Sequence, residues 1–364
     1  MRPTLSRVAA VALAAVVAAC GDDEKPSHDL PPLVWSWVPV AGAVCSDGSA
    51  TGIAVNPSAT PGADVLVFLM GGGACWDTLT CFTIGAATPG PFGEAQMRQQ
   101  IPALQPGSLL DRTVASNPYK DFTFVFVPYC TGDVHTGDRT QRYTGAPRDW
   151  RHKGRVNLSN DLAWMEEHLE APAKVVVSGS SAGGFGSLLA FDMARAMWPT
   201  AKGYLVDDSG PPLREIPPLT IAAWDVAWGL GEVVAPLCGP LDCMGDLSRL
   251  FPALQEKYPG DRLALLSSTQ DTTIRNFFGT FTTTFPFVTP MDPNTFETGV
   301  RGLASRMEDD TPPGETHAFV VTGTSHTMLG NPAGFFAPDG TTTLFEWLGQ
   351  QVNDDAAWSA AIPL

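Results

Sequence analysis

Short, almost unbroken apolar runs recur along the chain at residues 65–70, 122–127, 175–177, 204–206, 263–266 and 318–321. Strands buried on both faces read this way, because both side-chain sets of the pleat meet packed neighbours rather than water. Between the runs lie amphipathic stretches of helical length at residues 158–169, 183–197 and 247–258, with 344–352 closing the chain. Alternating strand and helix with right-handed crossovers predicts an α/β fold, a doubly wound and mostly parallel sheet with helices on both faces. In such a sheet ligands collect at the carboxyl ends of the strands, so a candidate functional residue must come just after a strand. No fixed-period repeat interrupts the pattern, and one catalytic domain over residues 33–364 is expected.

The first residues carry a different signal. Arg2 and Arg7 form a positive n-region, residues 8–17 an apolar core, and Ala18 and Ala19 the small residues of an export signal peptide spanning 1–19. Val17-Ala18-Ala19-Cys20 resembles a bacterial lipobox, which makes Cys20 the expected acylation site and predicts an exported lipoprotein, held to a membrane by its lipid in the periplasm or at the cell surface. Residues 20–32, with Asp22, Asp23, Glu24 and three prolines, read as a flexible tether. No later apolar run is long enough to span a bilayer. A formal charge of -16, from 22 basic against 38 acidic residues, argues against a nucleic-acid partner.

Six cysteines remain after Cys20, and an even number in an exported chain predicts disulfides. Cys75 with Cys81 and Cys238 with Cys243 are the short-loop pairings, which leaves Cys45 with Cys130 to staple the N-terminal segment to the core. A zinc site is disfavoured, since no Cys-x2-Cys occurs and no histidine stands at ligand spacing beside these cysteines.

The run at 175–177 leads into Gly179-Ser180-Ser181-Ala182-Gly183 and then a small-residue helix start. A strand, G-x-S-x-G and a helix together make a sharp turn that lifts the central serine toward a ligand, with glycines where the neighbouring chain passes close. Ser181 is therefore the candidate nucleophile, and the helix start points the Ala182 amide at a developing oxyanion. The general base must be a histidine downstream. His326 follows the run at 318–321 and falls at its carboxyl end, whereas His317 opens the run at the far end and reads as a surface edge residue. His135 and His152 sit in loops that could line the mouth. The acid that orients the imidazole should also follow a strand: Asp271, after the run at 263–266, fits the usual chain order better than Asp207 or Asp208, which read as loop-holding residues. Gly71-Gly72-Gly73, after the run at 65–70, offer the amides of Gly72 and Gly73 for the second half of an oxyanion hole, with Trp76 beyond them as a substrate contact.

Taken in order, Cys45-Ser-Asp-Gly-Ser, Phe68-Leu-Met-Gly-Gly-Gly-Ala-Cys75-Trp76, Val127-Pro128-Tyr129-Cys130-Thr-Gly-Asp133, Gly179-Ser-Ser181-Ala-Gly-Gly184 and Asp208-Ser209-Gly210 resemble the pectin acetylesterase family, which includes the Notum carboxylesterases. The resemblance implies an α/β-hydrolase-like fold, a Ser181, Asp271, His326 triad, an oxyanion hole from Gly72, Gly73 and Ala182, and no metal or organic cofactor. It also implies an acylated carbohydrate or other ester as substrate, most simply an O-acetyl ester on a polysaccharide such as pectin. A lipase or thioesterase would share the triad and differ in its pocket, with Met70, Phe82, Phe185 and residues 277–281 available to line an acyl tunnel. Met70 and Gly73-Ala74 stand where many relatives have an acidic residue and an aromatic, which leaves the acyl length open. A binding lipoprotein on a hydrolase scaffold is the remaining reading, and a monomer is expected.

Residues 139–155 hold six basic side chains against one acidic residue, Asp149. This stretch, with Arg139, Arg142 and Arg151 as carboxylate forks and Tyr143 and Trp150 as stacking surfaces, is the candidate rim for an anionic sugar chain. The competing reading is a solvated loop paired with the protein's own carboxylates.

Overall fold

The computed structural model describes residues 30–239, 241–284 and 287–364; the signal peptide, Cys20 and most of the tether lie outside the described residues. Its strands are β1 (Ser36–Val44), β2 (Ala50–Asn56), β3 (Val65–Leu69), β4 (Thr123–Val127), β5 (Arg139–Gln141), β6 (Trp150–His152), β7 (Lys174–Ser180), β8 (Lys202–Asp208), β9 (Arg262–Ser268), β10 (Thr280–Phe281), β11 (Val288–Thr289) and β12 (Thr316–Val321). The helices are α1 (Glu94–Leu104), α2 (Gly154–His168), α3 (Ala182–Met197), α4 (Pro218–Trp228), α5 (Leu230–Cys238), α6 (Leu250–Lys257), α7 (Thr272–Phe277), α8 (Pro293–Asp309) and α9 (Leu344–Val352).

All six apolar runs are strands of one eight-stranded sheet, in the order β1-β2-β4-β3-β7-β8-β9-β12. From β4 to β12 every pairing is parallel, while β2 is antiparallel to β4 and β1 to β2. The pleat divides the core. Val65, Val67, Val175, Val177 and Leu205 face the side covered by α2, α3 and α6, and Leu66, Phe68, Val176, Tyr204 and Val206 face the side covered by α1 and α9. Both faces are sealed, which is why the strand sequences show no polar alternation.

The winding reverses between β3 and β7: from β3 the chain crosses to β4 on one side, and from β7 it proceeds through β8, β9 and β12 on the other. A crevice opens where neighbouring crossovers leave in opposite directions, at the carboxyl ends of those two strands. Leu69 pairs with Gly179 in register, so the glycine turn after β3 and the serine turn after β7 emerge side by side. β1 runs parallel to β4, and Ser36 therefore enters the sheet at the end opposite this crevice.

The three expected disulfides, Cys45–Cys130, Cys75–Cys81 and Cys238–Cys243, are all formed. They mark a protein that matures in an oxidising, extracytoplasmic compartment.

Candidate active site

Ser181 sits between β7 and α3 with φ 61° and ψ -120°, a conformation that costs a β-carbon-bearing residue on the order of 1–3 kcal/mol. The strain is held by packing on both sides. Its amide donates to Asp208 O at 2.7 Å, and a Cβ on Gly179 would come within 2.2 Å of Gly183 O. Side chains at 179 or 183 would push the turn apart.

His326 follows β12, as its position after an apolar run predicts. Its Nδ1 donates to Asp271 Oδ2 at 2.8 Å, which leaves the lone pair of Nε2 available. Asp271 is fully buried and caps α7, its Oδ1 accepting the amides of Thr273 and Ile274, each at 2.9 Å. One carboxylate thus starts a helix and fixes an imidazole. Ser181 and His326 line the same cavity.

Asp208 has a different task. Its carboxylate accepts the amide of Met328 at 3.0 Å and that of Leu329 at 3.1 Å, and the hydroxyl of Ser180 at 2.7 Å. Ser209 Oγ accepts the Thr327 amide at 3.1 Å, and Ser268 Oγ donates to Ser325 O. The loop carrying His326 is therefore tied, on both sides of the imidazole, to the carboxyl ends of β8 and β9. Burial pushes both the Asp207 and Asp208 carboxyls up, with the amide and hydroxyl donors opposing the rise at Asp208.

The glycine turn is braced from behind. Tyr129 Oη donates to Gly73 O at 2.9 Å and accepts the Val134 amide at 2.8 Å, while His135 Nε2 donates to Met70 O at 2.9 Å. Gly73 has φ 77°, and a Cβ there would lie 2.0 Å from Ala86 O. Among the described residues the amides of Gly72 and Gly73 have no acceptor within the chain. Ala182 begins α3 directly after Ser181.

Two cavities meet at Ser181. One is an apolar chamber of about 70 Å³ walled by α4 and α5 with Phe185, Ile274, Phe277 and Phe278. The other is an open groove of about 730 Å³ bounded by Met70, the glycine turn, α1 and the His326 loop. Phe185, Phe277 and Phe278 thus line the chamber, Met70 lines the groove, and Phe82 packs on Trp150 away from both. Trp76 lines neither cavity and instead backs Trp224 and Trp228 edge to face.

The basic stretch is not a rim of this site, for none of residues 139–155 lines either cavity. Arg139 is paired with Glu232, Arg142 with Asp149 at 3.2 Å, and Lys153 and Arg155 with Asp138 at 2.7 and 3.1 Å. Arg151 lies over Gly48. Trp150 is 1% exposed and its indole donates to Thr131 O at 2.8 Å, so it offers no face for stacking. Tyr143 donates its hydroxyl to His152 Nε2 at 2.8 Å.

His317, His135 and His152 are structural. His317 is buried rather than on the surface, with Nδ1 on Glu308 at 2.6 Å. His135 and His152 are buried too, and desolvation holds them down to about 4 and about 3 respectively. His152 does approach the Cys75 and Cys81 sulfurs. Those sulfurs are bonded to each other and both imidazole nitrogens are engaged, so the set is a ring packed on a disulfide and does not suit an ion.

The sequence reading missed Tyr129, the role of Ser180 and the α4–α5 wall. The wall had a signal: apolar residues at 221, 224 and 228, then at 230, 233, 234 and 237, keep helical spacing.

The pectinacetylesterase family model matches residues 33–215, which contain the glycine turn, Ser181 and Asp208. Asp271 and His326 lie beyond that match. The palmitoleoyl-protein carboxylesterase NOTUM of Schmidtea mediterranea is 30% identical over 152 residues, 41% of this chain and 28% of that protein. Pectin acetylesterase 11 of Arabidopsis thaliana is 29% identical over 179 residues, 46% of this chain and 42% of that protein. In both cases the match spans less than half of the curated relative. Among solved structures, the Wnt deacylase Notum from Drosophila superposes with a TM-score of 0.62 at 18% identity, covering 91% of this chain and 96% of that one. This likeness gives the fold, that of a Notum-like α/β hydrolase.

Proposed function

The chain belongs to the pectinacetylesterase family, and from that premise we propose that it is a serine carboxylesterase whose triad is Ser181, His326 and Asp271. The reading is carried by one observation: His326, held through Nδ1 by buried Asp271, shares a cavity with Ser181 in its strained turn. Ser181 Oγ attacks the ester carbonyl while its proton passes to His326 Nε2. The oxyanion takes hydrogen bonds from the amides of Gly72, Gly73 and Ala182, each worth on the order of 3 kcal/mol in the transition state. Collapse of the tetrahedral adduct breaks the bond to the alcohol, which leaves with the proton from His326. Water then enters, gives a proton to His326 and attacks the acyl-enzyme, and the acid departs as Ser181 recovers its proton.

The apolar chamber supports an acyl chain longer than acetyl. Its lining is apolar but for Ser181 and Thr136, and each methylene moved there from water gains about 0.8 kcal/mol. A chamber of about 70 Å³ beside Ser181 leaves room for more than an acetyl methyl. The acetyl ester of a polysaccharide such as pectin is the second reading, favoured by the family model and the likeness to the Arabidopsis enzyme. Hydrolysis of p-nitrophenyl acetate, butyrate, octanoate and palmitate by the protein and its Ser181→Ala variant separates them. The chamber reading expects a maximum at butyrate or octanoate, and a rate that falls from acetate onward supports the acetyl reading. Hydrolysis that survives in Ser181→Ala refutes the triad.

Cys20 is the proposed lipid anchor, supported by the export signal and the lipobox-like Val17-Ala18-Ala19-Cys20. Since Ser36 enters the sheet opposite the crevice, an anchor there turns the site away from the tethered end. Loss of membrane-fraction protein in Cys20→Ala tests it, and unchanged fractionation rejects it.

A further inference from the structure

We infer that the open groove receives the alcohol part of the ester as an uncharged, hydrogen-bonding group and discriminates against a polyuronate; this rests on the serine-esterase reading. The groove and the chamber share Gly73, Ser181 and Phe277. With the acyl chain in the apolar chamber, the groove on the other side of Ser181 is left for the alcohol.

Among the described residues, His326 is the one titratable side chain in the groove lining. Beside the nucleophile and Ser180, whose hydroxyl is taken by Asp208, the polar side chains there are hydroxyls and an amide, from Thr88, Gln100, Ser108, Thr273 and Thr327. Ser108 Oγ is occupied by Gln105 O and the Leu110 amide. The side chains of Thr88, Gln100, Thr273 and Thr327 form no hydrogen bond within the chain among the described residues, and so remain for a partner. Such a set pairs with sugar hydroxyls or peptide amides, and a site built from neutral donors and acceptors discriminates through the groups it would leave unpaired.

A carboxylate fares worse. None of the arginines and the lysine of residues 139–155 lines the groove: Arg139, Arg142, Lys153 and Arg155 pair with Glu232, Asp149 and Asp138, Arg148 lies over the rings of Phe82 and Trp150, and Arg151 lies over Gly48. A uronate entering the groove would lose water without gaining a cation. The formal charge of -16 adds long-range repulsion before it arrives.

The test uses butyryl esters of dextran and of polygalacturonate at matched substitution, with p-nitrophenyl butyrate alongside, at about 20 mM and about 500 mM NaCl. At low salt, kcat/KM for the dextran ester is expected to exceed that for the galacturonate ester at least about tenfold. High salt shortens the screening length to about 4 Å. It should speed the galacturonate ester by removing repulsion, yet leave a gap of at least about threefold from the groove itself. Equal or faster turnover of the galacturonate ester at either salt, its slowing by salt, or failure to cleave the dextran ester overturns the inference. If p-nitrophenyl butyrate is then still cleaved in a Ser181-dependent way, the esterase reading survives alone. Absence of Ser181-dependent cleavage of any of the three esters removes both.

Discussion

The chamber and the groove meet at one serine and are built by opposite means. The chamber is a product of side chains: Trp224 and Trp228 on α4, and Leu230, Val233, Val234 and Leu237 on α5, each a single stripe of an apolar helix. Trp228 is fixed by its indole donating to Cys75 O at 2.8 Å, which ties the wall to the disulfide loop beyond the glycine turn. The groove owes more to backbone, to the turns after β3 and β12 and one side of α1. A wall of packed side chains selects by volume, because filling or emptying it by a few methylenes is felt directly. A wall of turns and neutral polar groups selects by what it can pair. On the proposed reading, the difference means that acyl length and alcohol character are set by separate residues and can be changed independently.

The largest expected effect respects neither cavity. Asp271→Asn keeps the α7 cap, since the Asn oxygen can still accept the Thr273 and Ile274 amides. Its amide nitrogen then faces His326 Nδ1, where a donor meets a donor unless the imidazole changes tautomer. We expect kcat to fall by about 10³–10⁴-fold for p-nitrophenyl acetate and octanoate alike, with circular dichroism unchanged. A loss confined to one ester would place Asp271 in substrate binding.

Val233→Phe should break the symmetry between the two sides. Val233 is buried in α5 and lines the chamber, and a larger ring takes the space an acyl chain would use. The expected outcome is a drop of about 10- to 100-fold in kcat/KM for octanoate, with acetate within about threefold of the parent. An unchanged octanoate-to-acetate ratio would show that the acyl chain does not enter between α3 and α5. Asp208→Asn is expected to act more mildly and on both esters. It replaces one carboxylate oxygen, which now accepts from Met328, Leu329, Ser180 or Ser209, by a donor, and so loosens the His326 loop. We expect kcat about tenfold lower and the octanoate-to-acetate ratio unchanged. An altered ratio would mean that Asp208 acts through the chamber wall.

The two cavities also differ in how far their parts could be read from the chain. The six parallel strands were legible because burial on both faces leaves apolar runs, and the proposed triad of Ser181, His326 and Asp271 was reached because each residue follows such a run. The chamber wall was not. α4 exposes Leu219 and Val226, 85% and 75% accessible, opposite its buried tryptophans, so no polar face marks it as an amphipathic helix. The edge pair β1–β2 was missed as well, since Ser36–Val44 carries Pro39 and an irregular register rather than an apolar run or clean alternation. The basic stretch misled for a different reason. Local charge density is a property of sequence neighbours, whereas Arg139 finds its counter-ion at Glu232 on α5. Asp208 owes its part in the site to register, with Ser180 beside it on β7, and to the return of the chain after β12. Neither fact is visible in any one segment.

The smallest expected effect lies in the supports behind the two sides. His152 packs against Trp228 of the chamber wall, and His135 holds the carbonyl of Met70, which lines the groove. Burial keeps His152 and His135 neutral down to about 3 and about 4, whereas in the unfolded chain each takes a proton near its ordinary value of about 6.5. As pH falls below that value the unfolded state binds the protons, so each histidine removes up to about 1.4 kcal/mol of stability per pH unit. Asp133 works in the other direction: burial raises its carboxyl to about 6, so between about 6 and its ordinary value of 3.8 the folded state binds a proton the unfolded state lacks. One histidine is thereby offset, and these three groups together leave a net loss of about 1.4 kcal/mol per pH unit between about pH 6 and pH 4. The buried Asp207 and Asp208 carboxyls, also raised, add to the Asp133 side of the balance, so the test is a difference: in urea unfolding at pH 6, 5 and 4, His152→Gln should lose about one proton's worth less stability per pH unit on acidification than the parent, whatever it does to stability at pH 7. A slope unchanged in His152→Gln would mean that His152 takes up its proton in the folded state, and that the Tyr143 hydroxyl and the chamber wall behind it yield to the charge.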